Sequence, residues 1–67
     1  MKKNGRFMRT LTADIHFYTA QMESSRIFVF IESEMIGGGL IKEITPYTVT
    51  IKNERFMREN CTFKYVG

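Results

Sequence analysis

The sequence predicts a small, mainly β fold: five short antiparallel strands rolled into a barrel behind an N-terminal α-helix. Three observations predict it. Residues 27–51, IFVFIESEMIGGGLIKEITPYTVTI, set two apolar runs on either side of Gly37, Gly38 and Gly39. Residues 47–51 alternate, with Val49 and Ile51 on one face and Thr48 and Thr50 on the other. Residues 62–66 alternate again and put Phe63 and Tyr65 together. Period-two patterning of this kind marks strands that give one face to a core.

The glycine-centred stretch organises the rest. Ile27, Val29 and Ile31 interleave with Phe28 and Phe30, so the first strand is apolar on both faces. Leu40 and Ile41 restart the pattern, and Ile44 closes it before Thr45 and Pro46. Glycine weakens a strand unless the strand bends sharply or another backbone comes close. A barrel of few strands needs one long bent strand that serves both halves of its wall. Three consecutive antiparallel strands are therefore expected, with the bend at the glycines.

Residues 10–23 admit two readings. As a strand, Leu11, Ala13, Ile15 and Phe17 share a face. As a helix, Leu11, Ile15, Tyr18 and Met22 recur at helical spacing. Thr12 can cap such a helix, and Asp14 falls in the first turn, where the dipole favours a negative charge. Ala20, Gln21, Met22 and Glu23 are good helix formers, so the helix is preferred. Ser24 and Ser25 connect it to the first strand. After Ile51, Lys52, Asn53 and Glu54 form a polar turn in which Asn53 is expected to carry the positive φ. A strand over residues 55–59 follows, and Asn60 breaks it before the last strand.

Residues 1–9 have no periodicity and hold Lys2, Lys3, Arg6 and Arg9, four of the ten basic residues. They read as a flexible basic arm ahead of one domain at 10–67, either simply solvated or holding phosphates by charge. The 67-residue chain buries only a thin core, and oligomerisation is a common remedy at this size. Six Phe, three Tyr and five Met are generous and suit an interface. Cys61 and His16 are the only residues of their kinds, so neither an internal disulfide nor a His/Cys metal site is expected. A lone cysteine suits a reducing, cytoplasmic compartment. No apolar run approaches the ~20 residues of a membrane span, and no membrane partner is expected. The net charge of +3 mildly favours an anionic partner.

The helix followed by five strands, with a glycine-marked bent second strand, resembles the Sm-like family, an SH3-type barrel. Within it the chain resembles the bacterial RNA chaperone branch, the Hfq-like proteins. Residues 27–51 lie on that family's pattern without a gap: apolar positions coincide at Val29, Phe30, Ile31 and Met35. Gly39 falls on the second-strand glycine. Ile41, Ile44, Val49 and Ile51 fall on inward positions, and Tyr47 on the aromatic of the next loop. Leftward, Asp14 falls on an Asp near the start of the family's helix, which supports a helix over residues 12–22. Met57-Arg58-Glu59-Asn60 falls near the family's Tyr-Lys-His segment and is similar to the Arg-Gly-Asn turn of the wider family. The resemblance covers about 55 residues and consists mostly of apolar positions.

The resemblance implies single-stranded RNA binding, U-rich or A-rich, by a homo-hexameric ring acting as an RNA chaperone or post-transcriptional regulator. On that reading Tyr47 stacks on a base, Arg58 and Asn60 contact phosphate or base at the ring's centre, and Phe30 forms a stacking platform on the opposite face. Lys2, Lys3 and Arg6 add phosphate contacts. Each residue also has a plain structural reading: Tyr47 over Pro46, Arg58 paired with Glu59 or Glu54, Phe30 in a core or interface, His16 solvated or capping. Four departures weaken the functional one. Thr45 stands for the Asp before the aromatic, Glu59 for the histidine of Tyr-Lys-His, and Ala13 for a base-reading Gln. Residues 21–25 replace the arginine-rich rim.

The alternative is an SH3-like protein-interaction module of phage or plasmid type that does not bind nucleic acid. Glu32, Glu34 and Glu43 lack a partner base or metal ligands in sequence, so no catalysis and no cofactor are expected.

Overall fold

The computed structural model describes residues 6–67 and shows a helix followed by five strands, in the order the sequence predicts. Helix α1 is Asp14–Met22, and the strands are β1 Arg26–Ile31, β2 Glu34–Ile44, β3 Thr48–Ile51, β4 Glu54–Met57 and β5 Thr62–Tyr65. All pairings are antiparallel in one mainly β sheet of order β4-β3-β2-β1-β5.

The eleven-residue β2 serves both halves of the sheet. Its first part pairs with β1, as in Ile27↔Gly39 and Phe28↔Gly38, and its second with β3, as in Ile44↔Val49. The glycines lie at the bend for a packing reason. A Cβ on Gly37 would meet Phe56 Cζ at 2.9 Å, and one on Gly39 would meet Lys52 Cε at 3.0 Å and Ile51 Cγ2 at 3.2 Å. Gly39 also has φ +144°, a region that side chains rarely adopt. The bare backbone lets β3, β4 and the turn between them fold back over β2.

The core is the inward set of this coiled sheet: Ile27, Val29, Ile41, Val49, Ile51, Phe56, Phe63 and Tyr65, closed at one end by Leu11, Phe17 and Ala20. Phe17 meets Phe63 edge-on at 5.3 Å. Ala20 has no exposed surface, so the helix approaches β2 closely, and Gln21 Nε2 donates to Lys42 O at 3.0 Å. The apolar face expected of the helix is therefore corrected. Residues 15, 18 and 22 project opposite to Phe17 and Ala20 at 100° per residue. Ile15, Tyr18 and Met22 are exposed, Met22 by 79%.

The ends of α1 differ from expectation in their chemistry. The N-cap position is Ala13, not Thr12. His16 supplies the missing acceptor: its Nδ1 takes the N–H of Thr12 at 2.9 Å and of Ala13 at 3.1 Å. At the other end Ser24 is left-handed, φ 57°, with Ser24 N–H on Gln21 O and Ser25 N–H on Ala20 O. These two bonds are the Schellman pattern, with serine where glycine is usual. In the β3–β4 turn the positive φ falls on Lys52, 60°, and not on Asn53. Two-residue hairpin turns put φ > 0 at their first position, and the β1–β2 turn does the same at Glu32.

The two edge strands of the sheet are β4 and β5. No pair joins β4 to β5, so hydrogen bonds do not close the barrel among the described residues. The outer edge of β5, however, is occupied by the chain itself. Met8 N–H donates to Tyr65 O at 2.8 Å, Tyr65 N–H to Arg9 O at 2.9 Å and Leu11 N–H to Phe63 O at 2.8 Å. Of the basic arm, then, residues 6–9 lie against the sheet, while Lys2 and Lys3 fall outside the described residues.

Candidate nucleic-acid interface

The expected RNA contacts do not come together: Tyr47 and Arg58 lie on one surface, and Phe30 and Arg6 lie apart from it. Tyr47 and Arg58 line one cleft of about 400 Å³ with Pro46, Met57, Glu59 and Cys61. Tyr47 is presented on the β2–β3 turn and is 74% exposed. The turn is built by Thr45, whose Oγ1 accepts the N–H of Tyr47 at 3.2 Å and of Thr48 at 2.9 Å. A threonine hydroxyl thus makes the local bonds that an Asp would make here.

Arg58 has a definite task in this structure. Its Nη1 donates to Thr45 O at 2.9 Å and its Nη2 to Asp14 Oδ1 at 2.6 Å. The guanidinium covers the Phe17 ring at 4.6 Å, and the backbone N–H of Arg58 donates to Tyr47 O at 2.8 Å. The side chain is 17% exposed. Arg58 pairs with Asp14 rather than with Glu59 or Glu54, and it braces the Tyr47 turn against the helix. Its charge is largely matched before any phosphate arrives, and the exposed Glu59 adds a negative charge to the same cleft. Asn60 is exposed, and its N–H bonds Met57 O in the turn before β5. Burial pushes the Cys61 thiol up from its ordinary pKa, which leaves it protonated and a poor nucleophile at neutral pH.

The second surface is the outer face of β1, β2 and β5. Phe30 is half-buried and outside the core, and it meets Phe28 edge-on at 6.1 Å. Phe28 pairs with Lys64 and Phe30 with Thr62, so these four share a face. Lys64 Nζ lies 5.7 Å from the Phe30 ring centre. Arg26 continues the same face, two residues before Phe28. It opens onto a cleft of about 410 Å³ with Lys42, Lys52 and Asn53, where Lys42 Nζ donates to Asn53 Oδ1 at 3.2 Å. Among the described residues, none of Arg26, Lys42, Lys52 and Lys64 is in an ion pair.

Of the residues singled out in sequence, Phe30 alone sits on this basic, aromatic track. Phe28, Lys64, Arg26, Lys42 and Lys52 were missed. One signal was legible: in the run from Ile27 to Ile31 the two outward positions are both Phe, and Lys64 alternates with Phe63 and Tyr65. The β3–β4 turn joins the track only because the sheet folds back at the glycines, which local pattern does not reveal. Arg6 is placed elsewhere, with Nη1 at 3.1 Å from Glu23 Oε1 and its guanidinium over the Tyr65 ring.

Among the described residues no cluster of three or more His, Cys, Asp or Glu is placed to hold a metal, and no helix is long and apolar enough to cross a membrane. No family model matches this chain, and no curated protein or solved structure matches it either.

Proposed function

We propose that this protein binds single-stranded RNA along the outer face of β1, with Phe28 and Phe30 as the stacking platform. The observation that carries the reading is the half-exposed aromatic pair beside Lys64, continued by Arg26 toward Lys42 and Lys52. Single-strand binders combine aromatic faces for bases with cations that follow the backbone, and stacking contributes about 1–3 kcal/mol per base. Tyr47, on its exposed turn, offers a second stacking contact. The reading keeps the Sm-like resemblance, with assembly of copies into a ring, hexameric by that resemblance, and a cytoplasmic, post-transcriptional role.

Binding of labelled oligo-U and oligo-A, with the matching DNA as control, at low and high salt tests it. Salt-sensitive binding of RNA is the expected result, and no binding at low salt rejects the reading. A protein-interaction module is the second reading. The exposed Ile15, Tyr18 and Met22 on one face of α1 favour it, since a basic single-strand binder has no use for them. An alanine triple variant at these positions that keeps RNA affinity but loses capture of a defined host protein would select it.

A further inference from the structure

The end of the chain that precedes α1 behaves as a sixth strand. Residues 8–11 run antiparallel to β5, with a bridge at Thr10↔Lys64 and three backbone bonds to Phe63 and Tyr65. Leu11 is buried and pins one end of the segment. The other end is held differently. Met8 is a non-glycine residue at φ 64°, a conformation disfavoured for its side chain. Beyond it Arg6 reaches back by its side chain to Glu23 and Ser25 and lies over the Tyr65 ring, and the Glu23 end of that ion pair is exposed. The segment is thus fixed by burial at Leu11 and latched by side-chain contacts at Arg6.

At the far side of the sheet, no other strand pairs with the outer edge of β4 among the described residues. Register through Ile51↔Glu54 makes that the hydrogen-bonded pair of a two-residue hairpin, so the N–H groups of Arg55 and Met57 point away from β3. Met57 O is taken by Asn60, which leaves Arg55 as the centre of a short bare edge. Among the described residues one edge of the sheet is bare and the other is covered by a segment buried at Leu11 and latched by surface contacts at Arg6. Glu54 opens the bare strand, and Lys64 sits in the covered one.

We infer that residues 6–11 are a displaceable strap that blocks the β5 edge, and that its release lets the β4 edge of a second copy of this chain pair there. The inference rests on the proposed ring, whose closure needs the same edge. Assembly is then gated by the chain's own N-terminal segment, with Arg6 as the latch. Head-to-tail pairing of two different edges is heterologous and closes on itself when the rotation fits. The strap also prevents the bare-edge aggregation that an uncovered β5 would invite.

Sedimentation velocity without RNA tests the strap separately from RNA binding. Four chains are compared over a concentration series: the full chain, Arg6→Glu, a deletion of residues 1–9 that keeps Leu11, and that deletion with Arg55→Pro. Proline at an outward edge position removes the donor without touching the β3 pairing. The full chain is expected to remain monomeric where the deletion assembles. Arg6→Glu, which repels Glu23, should lower the assembly midpoint severalfold, and Arg55→Pro should return the deletion to monomer. Equal masses for the full chain and Arg6→Glu, both folded by circular dichroism, overturn the inference even if the deletion fails to fold. So does an oligomer of the full chain that the deletion abolishes, because the strap would then be exchanged between copies. RNA affinity of the full chain is a separate readout and can survive either result.

Discussion

Arg58 Nη2 lies 2.6 Å from Asp14 Oδ1 while Nη1, at 2.9 Å, holds Thr45 O. One guanidinium therefore ties the start of α1 to the β2–β3 turn, and its face covers Phe17 in between. Asp14 is 72% exposed, so the ion pair itself contributes under about 1 kcal/mol. The charged hydrogen bond to Thr45 and the cation–π contact contribute more, about 2 kcal/mol together. Chemical denaturation should find Arg58→Ala well below wild type and Asp14→Asn only slightly below. Arg58→Lys should not rescue, because an ammonium cannot fork between two acceptors.

The bend at Gly39 gives a second expectation. Valine there would be strained by φ and would press on Ile51 and Lys52. The loss should exceed the ~1 kcal/mol typical of point changes. Gly37→Ala, with normal φ but a Cβ at 2.9 Å from Phe56 Cζ, should lose about 1–3 kcal/mol by overpacking. Thermal melts of both variants check this, and unchanged midpoints would mean that the sheet does not coil here.

Both helix caps can be tested in opposite directions. His16→Ala removes the acceptor for two N–H groups and should destabilise by about 1 kcal/mol. Ser24→Gly relieves the left-handed position and should stabilise by a few tenths to about 1 kcal/mol. A melt that moves the same way for both would contradict the cap assignments.

The succession of elements along the chain and the glycine bend were legible because period-two alternation and Gly37 to Gly39 are local signals. The helix was legible in extent but not in orientation. Ile15, Tyr18 and Met22 have the better apolar spacing, yet Phe17 and Ala20 face the sheet, because Phe63 and β2 select them. The site was half legible for a similar reason. Tyr47 and Arg58 line one cleft, but the choice of Asp14 as Arg58's partner spans 44 residues. The strap on β5 was hidden altogether, since residues 8–11 bind by backbone and carry no strand pattern.

Cys61 should alkylate slowly at neutral pH. Burial raises its thiol pKa, so the reactive thiolate is scarce until the pH climbs past the range of an ordinary cysteine. Iodoacetamide labelling across pH, compared with a free cysteine peptide, should show the rate profile displaced to higher pH.

Phe30 offers the most direct test of RNA recognition on the outer face. Its ring is half-exposed and outside the core, so Phe30→Ala should melt near wild type. Losing one stacked base at ~1–3 kcal/mol corresponds to a fall in affinity of roughly 5- to 150-fold. Fluorescence anisotropy with a short labelled oligoribonucleotide at low salt measures it. The expected result is that fall, with the salt slope unchanged for Phe30→Ala and reduced by about one for Lys64→Ala. Wild-type affinity retained by folded Phe30→Ala would contradict the outer-face site.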